Sequence, residues 1–351
     1  GYLIATFVVT GNNEVTVVHL YSVTGTVMNG NEETVITITD VSAKEIFTGK
    51  GASFTTLIPV GTYYLSAESD TYLSIPVQIT VNADGTVTGN KALELTKRKI
   101  TSDHGTFDVT TGSYLLPNGY ENYGAIAGAT VGQDQAFIAT GEFTDMGNMD
   151  SAEPFAGFRI STNSNTYLRF GIRWERGQNK YVFKVWHWIG NQVAYTQDLT
   201  LASNAMQGEN TVKVAVAYRN GTYHIFLNGE LLTSLPETQT VEGGTTTVKD
   251  AIGASGNKEI GFFSEHQIRI VDWNFSTEST ELANLLARTI DVSAVTDVTL
   301  TVDGKPVTDG KVMLGDTVTV KLALSGITKY TFKIDGTAIP TENVNNFATA
   351  T

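Results

Sequence analysis

The chain has 351 residues, with 36 Asp and Glu against 23 Lys and Arg for a net charge of −13, and no cysteine. It is too long for one ordinary domain, so two or three are expected. The acidic field repels phosphate backbones and no basic stripe offsets it, which argues against nucleic acid as a partner. Without cysteine there is no disulfide framework or thiolate chemistry, and no run of about 18 apolar residues predicts a membrane span.

Val and Thr outnumber the strong helix formers, and charged residues make up only 17%, so short strands joined by turns are predicted throughout. The chain begins at Gly1 without a charged and then apolar leader, so a signal peptide or anchor, if there is one, lies outside this segment. The stretch YLIATFVVTGNNEVTVVHL from Tyr2 matches YLSIPVQITVNADGTVTGNKALEL from Tyr72. Each has Tyr-Leu, an alternating strand, an Asn-containing turn and a second strand, so residues 1–20 read as the tail of a preceding β-repeat.

Residues 21–99 read as one unit. YSVTGTV, TVITITD, GASFTTLIPVGTYYLSAES and YLSIPVQITV alternate apolar and polar residues, with Gly, Asn or Asp at the joints. Pro59 ends one strand and Gly61 permits the turn into the next. Gly25-Thr26-Val27, the 51–57 strand, Pro59-Val60-Gly61-Thr62-Tyr63 and Tyr72 resemble the carboxypeptidase-regulatory-like, or prealbumin-like, β-sandwich of bacterial surface proteins. Some related domains carry a Lys to Asn isopeptide bond, which needs a lysine in the first strand. Residues 21–27 contain none, so no crosslink is expected. Lys97-Arg98-Lys99 reads as a solvated basic linker.

Residues 100–279 hold all four tryptophans, Trp174, Trp186, Trp188 and Trp273. Nearly 180 residues of alternating strands fit a two-sheet jelly roll better than an Ig-like sandwich of about 100. AFIATGEF, FAGFRIST, YLRFGIRW, TVKVAVAYRNGTYHIFLNGELL and EIGFFSEHQIRIVDWNFS resemble the concanavalin A-like lectin/glucanase fold in its laminin-G-like form, with YHIFLNGE, from Tyr223, as the most characteristic phrase. TESTELANLLAR, 277–288, predicts a helix with leucines at 282, 285 and 286, and 280–289 serves as a connector. DVTLTVDGKPV, DTVTVKLAL and KYTFKIDG, with Asp303-Gly304 and Asp335-Gly336 as hairpin turns, make 290–351 a small or incomplete Ig-like β-sandwich. Its last residues read as the middle of a strand, so a longer parent chain is expected. The fold class is therefore all-β: a prealbumin-like sandwich, a central jelly roll and a partial Ig-like unit.

The stretch RFGIRWERGQNKYVFKVWHW, 169–188, reads as a hairpin. If Trp174 lies opposite Tyr181, then Ile172 meets Phe183 and Phe170 meets Val185 on one apolar face. The other face then collects Tyr167, Arg169, Arg173, Lys184, Trp186 and Trp188. Placing Phe158 and Ile160 in the core adds Arg159 to that side. These seven residues are the candidate ligand-binding set. Two readings stand. In the first, indole faces stack on a pyranose while guanidinium forks hold its hydroxyls or a carboxylate; the resemblance implies this, because the concave sheet of such relatives often binds glycans. In the second, loops or a neighbouring domain cover the tryptophans and the arginines lie over them as cation-π partners.

Glycoside hydrolysis needs two carboxylates facing the scissile bond. The resemblance implies a Glu-x-Asp-x-x-Glu-like string on one strand for the glucanases, and the middle region has none. GEFTDMGNMDSAE supplies Glu142, Asp145, Asp150 and Glu153 in what reads as a solvated loop; Asp145, Asp150 and Glu153 are the candidates for a structural calcium. The five histidines are scattered, and His187 falls on the core-facing side of its strand. No cofactor motif appears. The expectation is a non-catalytic fragment of a bacterial surface protein, extracellular or on the cell surface and a monomer within a longer chain. Its central jelly roll would bind a glycan or another extracellular ligand, with flanking spacers. A glycoside-hydrolase-like enzyme, or an accessory module of one, and a purely structural stalk are the alternatives.

Overall fold

A computed structural model describes residues 4–9, 15–117, 119, 122–144, 155–163, 166–175, 180–189, 192–201, 211–236, 257–265, 267–289, 298–323, 332–334, 337–339, 342–344 and 347–350. They are almost wholly β, as the composition predicts, with helix only at Ser279–Leu286.

In the N-terminal part the strand Gly61–Glu68 pairs with Val35–Asp40 on one side and with Val77–Val81 and Tyr72–Ser74 on the other. Its alternation buries Tyr63, Leu65 and Ala67. The long strand Val15–Met28 pairs with Ile4–Val9 and Ser53–Pro59, and in parallel with Ala92–Arg98. It runs unbroken through positions 20 and 21. Val23, Val27, Phe54, Ile58 and Leu93 from this set join Ile36, Ile38, Leu65 and Ile79 from the other in one apolar cluster. The strand ends at Pro59 and restarts at Gly61, and Tyr63 Oη closes the corner by donating to the Pro59 carbonyl at 3.0 Å.

The central part is two seven-stranded sheets, every pairing antiparallel. The first runs in the order Ile100–Thr101, Asn122–Val131, Lys258–Ser264, Phe155–Asn163, Thr166–Glu175, Lys180–Ile189, Gln192–Thr200. The second runs Thr106–Asp108, Ser113–Leu116, Ile268–Ser276, Phe137–Thr144, Val212–Arg219, Thr222–Leu227, Glu230–Pro236. One core spans both: Phe158, Phe170, Ile172, Phe183 and Phe262 from the first meet Phe137, Phe143, Val214 and Ile225 from the second. Each such side chain contributes roughly 1.5–3 kcal/mol by leaving water, so a core of this size holds the two sheets face to face.

Two expectations need correction. Lys97-Arg98-Lys99 is no solvated linker. Lys97 lies 4.0 Å over the Trp273 ring and 3.0 Å from Asp272, Arg98 Nη1 donates to the Ala127 carbonyl, and Trp273 Nε1 donates to the Arg98 carbonyl at 2.7 Å. The basic run seals the seam beside the central two-sheet unit, its stems covering aromatic surface while its charges find carboxylate and carbonyl. The helix is shorter than 277–288. It stops at Leu286 because Ala287 turns extended (ψ 132°) and Ala287–Thr289 pairs with Lys311–Met313.

The C-terminal residues form a five-stranded sheet, Lys305–Pro306, Val298–Val302, Val318–Ala323, Phe347–Ala350, Glu342–Val344, and a pair Phe332–Ile334 with Thr337–Ile339. Asp303 and Gly304, at φ 50° and 73°, make the expected two-residue hairpin turn.

Candidate functional site

The register of the central hairpin is the one the side-chain pattern predicts. Trp174 faces Tyr181, Ile172 faces Phe183, Phe170 faces Val185 and Arg169 faces Trp186. A one-residue slip would have put Phe170 and Phe183 into water and the cations into the core. The pairing continues across neighbouring strands, so that Gly261, Arg159, Arg169 and Trp186 stand in one row on the outer face of the first sheet, and Tyr123, Phe263, Gly157, Gly171 and Lys184 in the next.

The second row is low where it has only glycines. A Cβ on Gly157 would run into the Phe170 carbonyl, and one on Gly171 into the Ala156 carbonyl. The guanidinium of Arg169 has Phe155, Tyr167, Trp186 and Phe263 around it, with ring centroids 5.0 to 5.5 Å away. Phe155 meets both Trp186 and Phe263 edge to face. Arg169 is only 2% exposed, and its Nη1 lies 3.1 Å from Glu265 Oε1. A guanidinium can be held so far from water because aromatic faces are weakly negative and its hydration is weaker than that of an ammonium, while the carboxylate balances its charge.

Around this cage the other cations repeat the arrangement nearer the surface. Arg173 lies 3.0 Å from Glu175 and over Trp186. Lys184 reaches Asp198 at 3.0 Å and Glu175 at 3.6 Å, with Trp186 beside it. Arg159 sits between the rings of Tyr123 and Tyr167, at 4.7 and 4.1 Å. Tyr123 Oη donates to Glu259 at 2.8 Å. Burial first, and then the Glu259 charge, push the Tyr123 phenol far above its ordinary range, so it stays a hydrogen-bond donor at any physiological pH.

The structure thus sorts the seven candidates. Arg159, Arg173 and Trp186 are half-buried and reach the surface of the face. Tyr167, Arg169 and Lys184 lie on the same face but are buried at 5%, 2% and 9% exposure, so they build the floor. The side chains of Trp188, Trp174 and His187 lie outside the described residues, as do Asp145, Asp150 and Glu153. Among the described residues no group of three His, Asp or Glu could hold a metal, and no helix is long and apolar enough to cross a membrane. Sequence reasoning missed Phe155, Phe263, Tyr123 and the carboxylates. One signal was available in EIGFFSE: with Ile260 and Phe262 facing in, the adjacent Phe263 must face out. The pairing of Glu265 with Arg169, from strands far apart in the chain, carries no local mark.

No protein-family model matches the chain, and no curated protein does. Similar solved structures include a functionally unknown protein from Saccharomyces cerevisiae (TM-score 0.34, 11% identity, 52% of this chain and 92% of that one). They also include the Emp46p carbohydrate recognition domain in its potassium-bound form (0.34, 8% identity, 51% and 88%). A third is the xylan beta-1,4-xylosidase of Bacillus halodurans (0.35, 10% identity, 62% of this chain), of which the chain spans 51%. Likeness at this level assigns neither family nor chemistry.

Proposed function

We propose that the central two-sheet unit binds a glycan or another extracellular ligand without catalysis, on the outer face of the sheet that carries Trp186, as part of a cell-surface protein whose flanking β-units are spacers. One observation supports this most: Trp186, Arg159, Arg173 and Tyr123 stand half-buried on one sheet face above a buried cage that fixes their orientation. A surface indole held on a rigid floor is pre-organised for stacking on the apolar face of a sugar ring, and little side-chain entropy is lost on binding. Single sites of this kind are weak, and repeated display on a surface makes them strong.

The test is a glycan array followed by titration, comparing the chain with Trp186→Ala and Arg159→Ala. Binding that both variants weaken supports the reading; binding that neither alters, or no binding at all, ends it. In the same preparation a polysaccharide panel should yield no new reducing ends, and robust turnover would overturn the non-catalytic part. The burial of Arg169, Tyr167 and Lys184 favours a second reading, in which the ladder of cations and rings only stiffens a stalk. That reading predicts the same loss of stability on mutation but no ligand.

A further inference from the structure

Resting on the binding reading above, we infer that the ligand of this face is an electrically neutral saccharide, and that sugars bearing a carboxylate are selected against. The inference comes from the charge census of the face. Arg169 is matched by Glu265, Arg173 by Glu175, and Lys184 by Asp198 and again by Glu175. Arg159 lies between two aromatic rings, and the outer of these, Tyr123, carries Glu259 on its hydroxyl. Among the described residues, then, five cations, counting Lys180 opposite Glu175 in the strand register, share the face with four carboxylates, and Arg159, Arg169, Arg173 and Lys184 each already face a carboxylate, an aromatic ring or both.

An acidic sugar would have to displace a carboxylate that is tethered and needs no ordering. It would also bring its own charge beside Glu175, Asp198 and Glu259, and approach a chain whose net charge is −13. A neutral pyranose meets neither obstacle. Its adjacent hydroxyls each donate and accept, and the rim offers donors from Arg159 and Arg173 beside acceptors from Glu175, Asp198 and Glu259, with Trp186 and Tyr123 as stacking planes. The Tyr123 phenol stays protonated, so it adds no charge.

The experiment immobilises neutral gluco-, xylo-, manno- and galacto-oligosaccharides beside their uronic-acid- or sialic-acid-bearing counterparts, and measures binding of the whole chain at low and high salt. The expected result is binding to one or more neutral members that changes less than about twofold between roughly 50 and 500 mM salt, since no net charge is exchanged. Trp186→Ala should lower that binding by about tenfold, in the range of a central aromatic contact. Asp198→Asn, at an exposed position, should raise the response to acidic members relative to the neutral ones by freeing Lys184 from one of its two carboxylates; an unchanged ratio would count against the inference. Preferential, salt-sensitive binding of acidic members by the unaltered chain would overturn the neutral-ligand inference and leave the glycan reading standing. Failure of every member to bind would overturn both.

Discussion

The two outer faces of the central sandwich solve the same problem in opposite ways. On the second sheet, Ile138, Ala217 and Phe226 point away from the core, and the chain covers them itself: helix Ser279–Leu286 lays Leu282 and Leu286 on them, with Met313 and Leu314 alongside. The Leu314 amide bonds the Leu286 carbonyl, Arg219 pairs with Asp316 at 2.9 Å, and Ala287–Thr289 pairs with Lys311–Met313. On the first sheet the outward residues are instead cations, rings and carboxylates that satisfy one another within a single layer, and the upper members keep contact with solvent. An apolar outer face must be roofed by more chain, whereas a self-paired ionic and aromatic face can stay partly open. The first sheet therefore leaves polar and aromatic groups in contact with solvent, and the second is committed to the join with the C-terminal part.

The comparison breaks most forcefully at Arg169. Arg169→Ala should cost about 3–5 kcal/mol in denaturant unfolding, since it empties the centre of the aromatic cage and removes the buried half of the Arg169–Glu265 ion pair; a loss under about 1 kcal/mol would show the cage to be decoration. Leu286→Ala should cost about 2–4 kcal/mol by opening a cavity in the roof. Limited proteolysis should then cut near residues 287–316 first, and unchanged protection would deny that the helix seals this face.

A subtler asymmetry is in pH. His224 is buried under the roof, with Nδ1 against Ser234 Oγ at 2.9 Å. Burial first, then Arg288 and Arg219, depress its pKa below the ordinary histidine value of 6.5. Its folded form is therefore neutral, and the stability it supports is full above pH 6.5 and lost as pH falls through the depressed value. Beside it, Asp316 accepts from the Met313 amide and pairs with Arg219. Proteolysis of the 287–316 segment from pH 7.5 to 5 should accelerate in the unaltered chain and much less in His224→Gln, while the first sheet's protection stays level; equal acceleration in both would remove His224 from the account. Smallest of all, Lys213→Ala should change stability by less than about 1 kcal/mol, because its pair with Glu142 is solvent-exposed on the lysine side (67%). A larger loss would mean that surface pairs here are worth more than their exposure suggests.

What the sequence revealed divides along the same line. The register of the 166–189 hairpin was legible because strand periodicity is strict: once Phe170 and Phe183 are placed inward, every other side chain follows. The turns at Pro59-Val60-Gly61 and Asp303-Gly304 were legible from backbone chemistry. The helix was found, but its end was not, since Ala287 leaves it for a strand partner 26 positions away at Met313. The depth of the site was the least legible part. Parity puts Arg169 on the outer face, but its burial depends on Phe155, Phe263 and Glu265, which the topology brings in from two other strands, and no local pattern marks that meeting.

The most direct measurement of the central claim is hydroxyl-radical footprinting of the whole chain, free and with saturating neutral glycan, read at Trp186 and Tyr123 and at Tyr218 and Tyr223 in the core. Oxidation of Trp186 and Tyr123 in the free chain, suppressed by the glycan while the core tyrosines stay inert in both, is the predicted result. A Trp186 that is inert in the free chain, or oxidised equally with and without glycan, would contradict it.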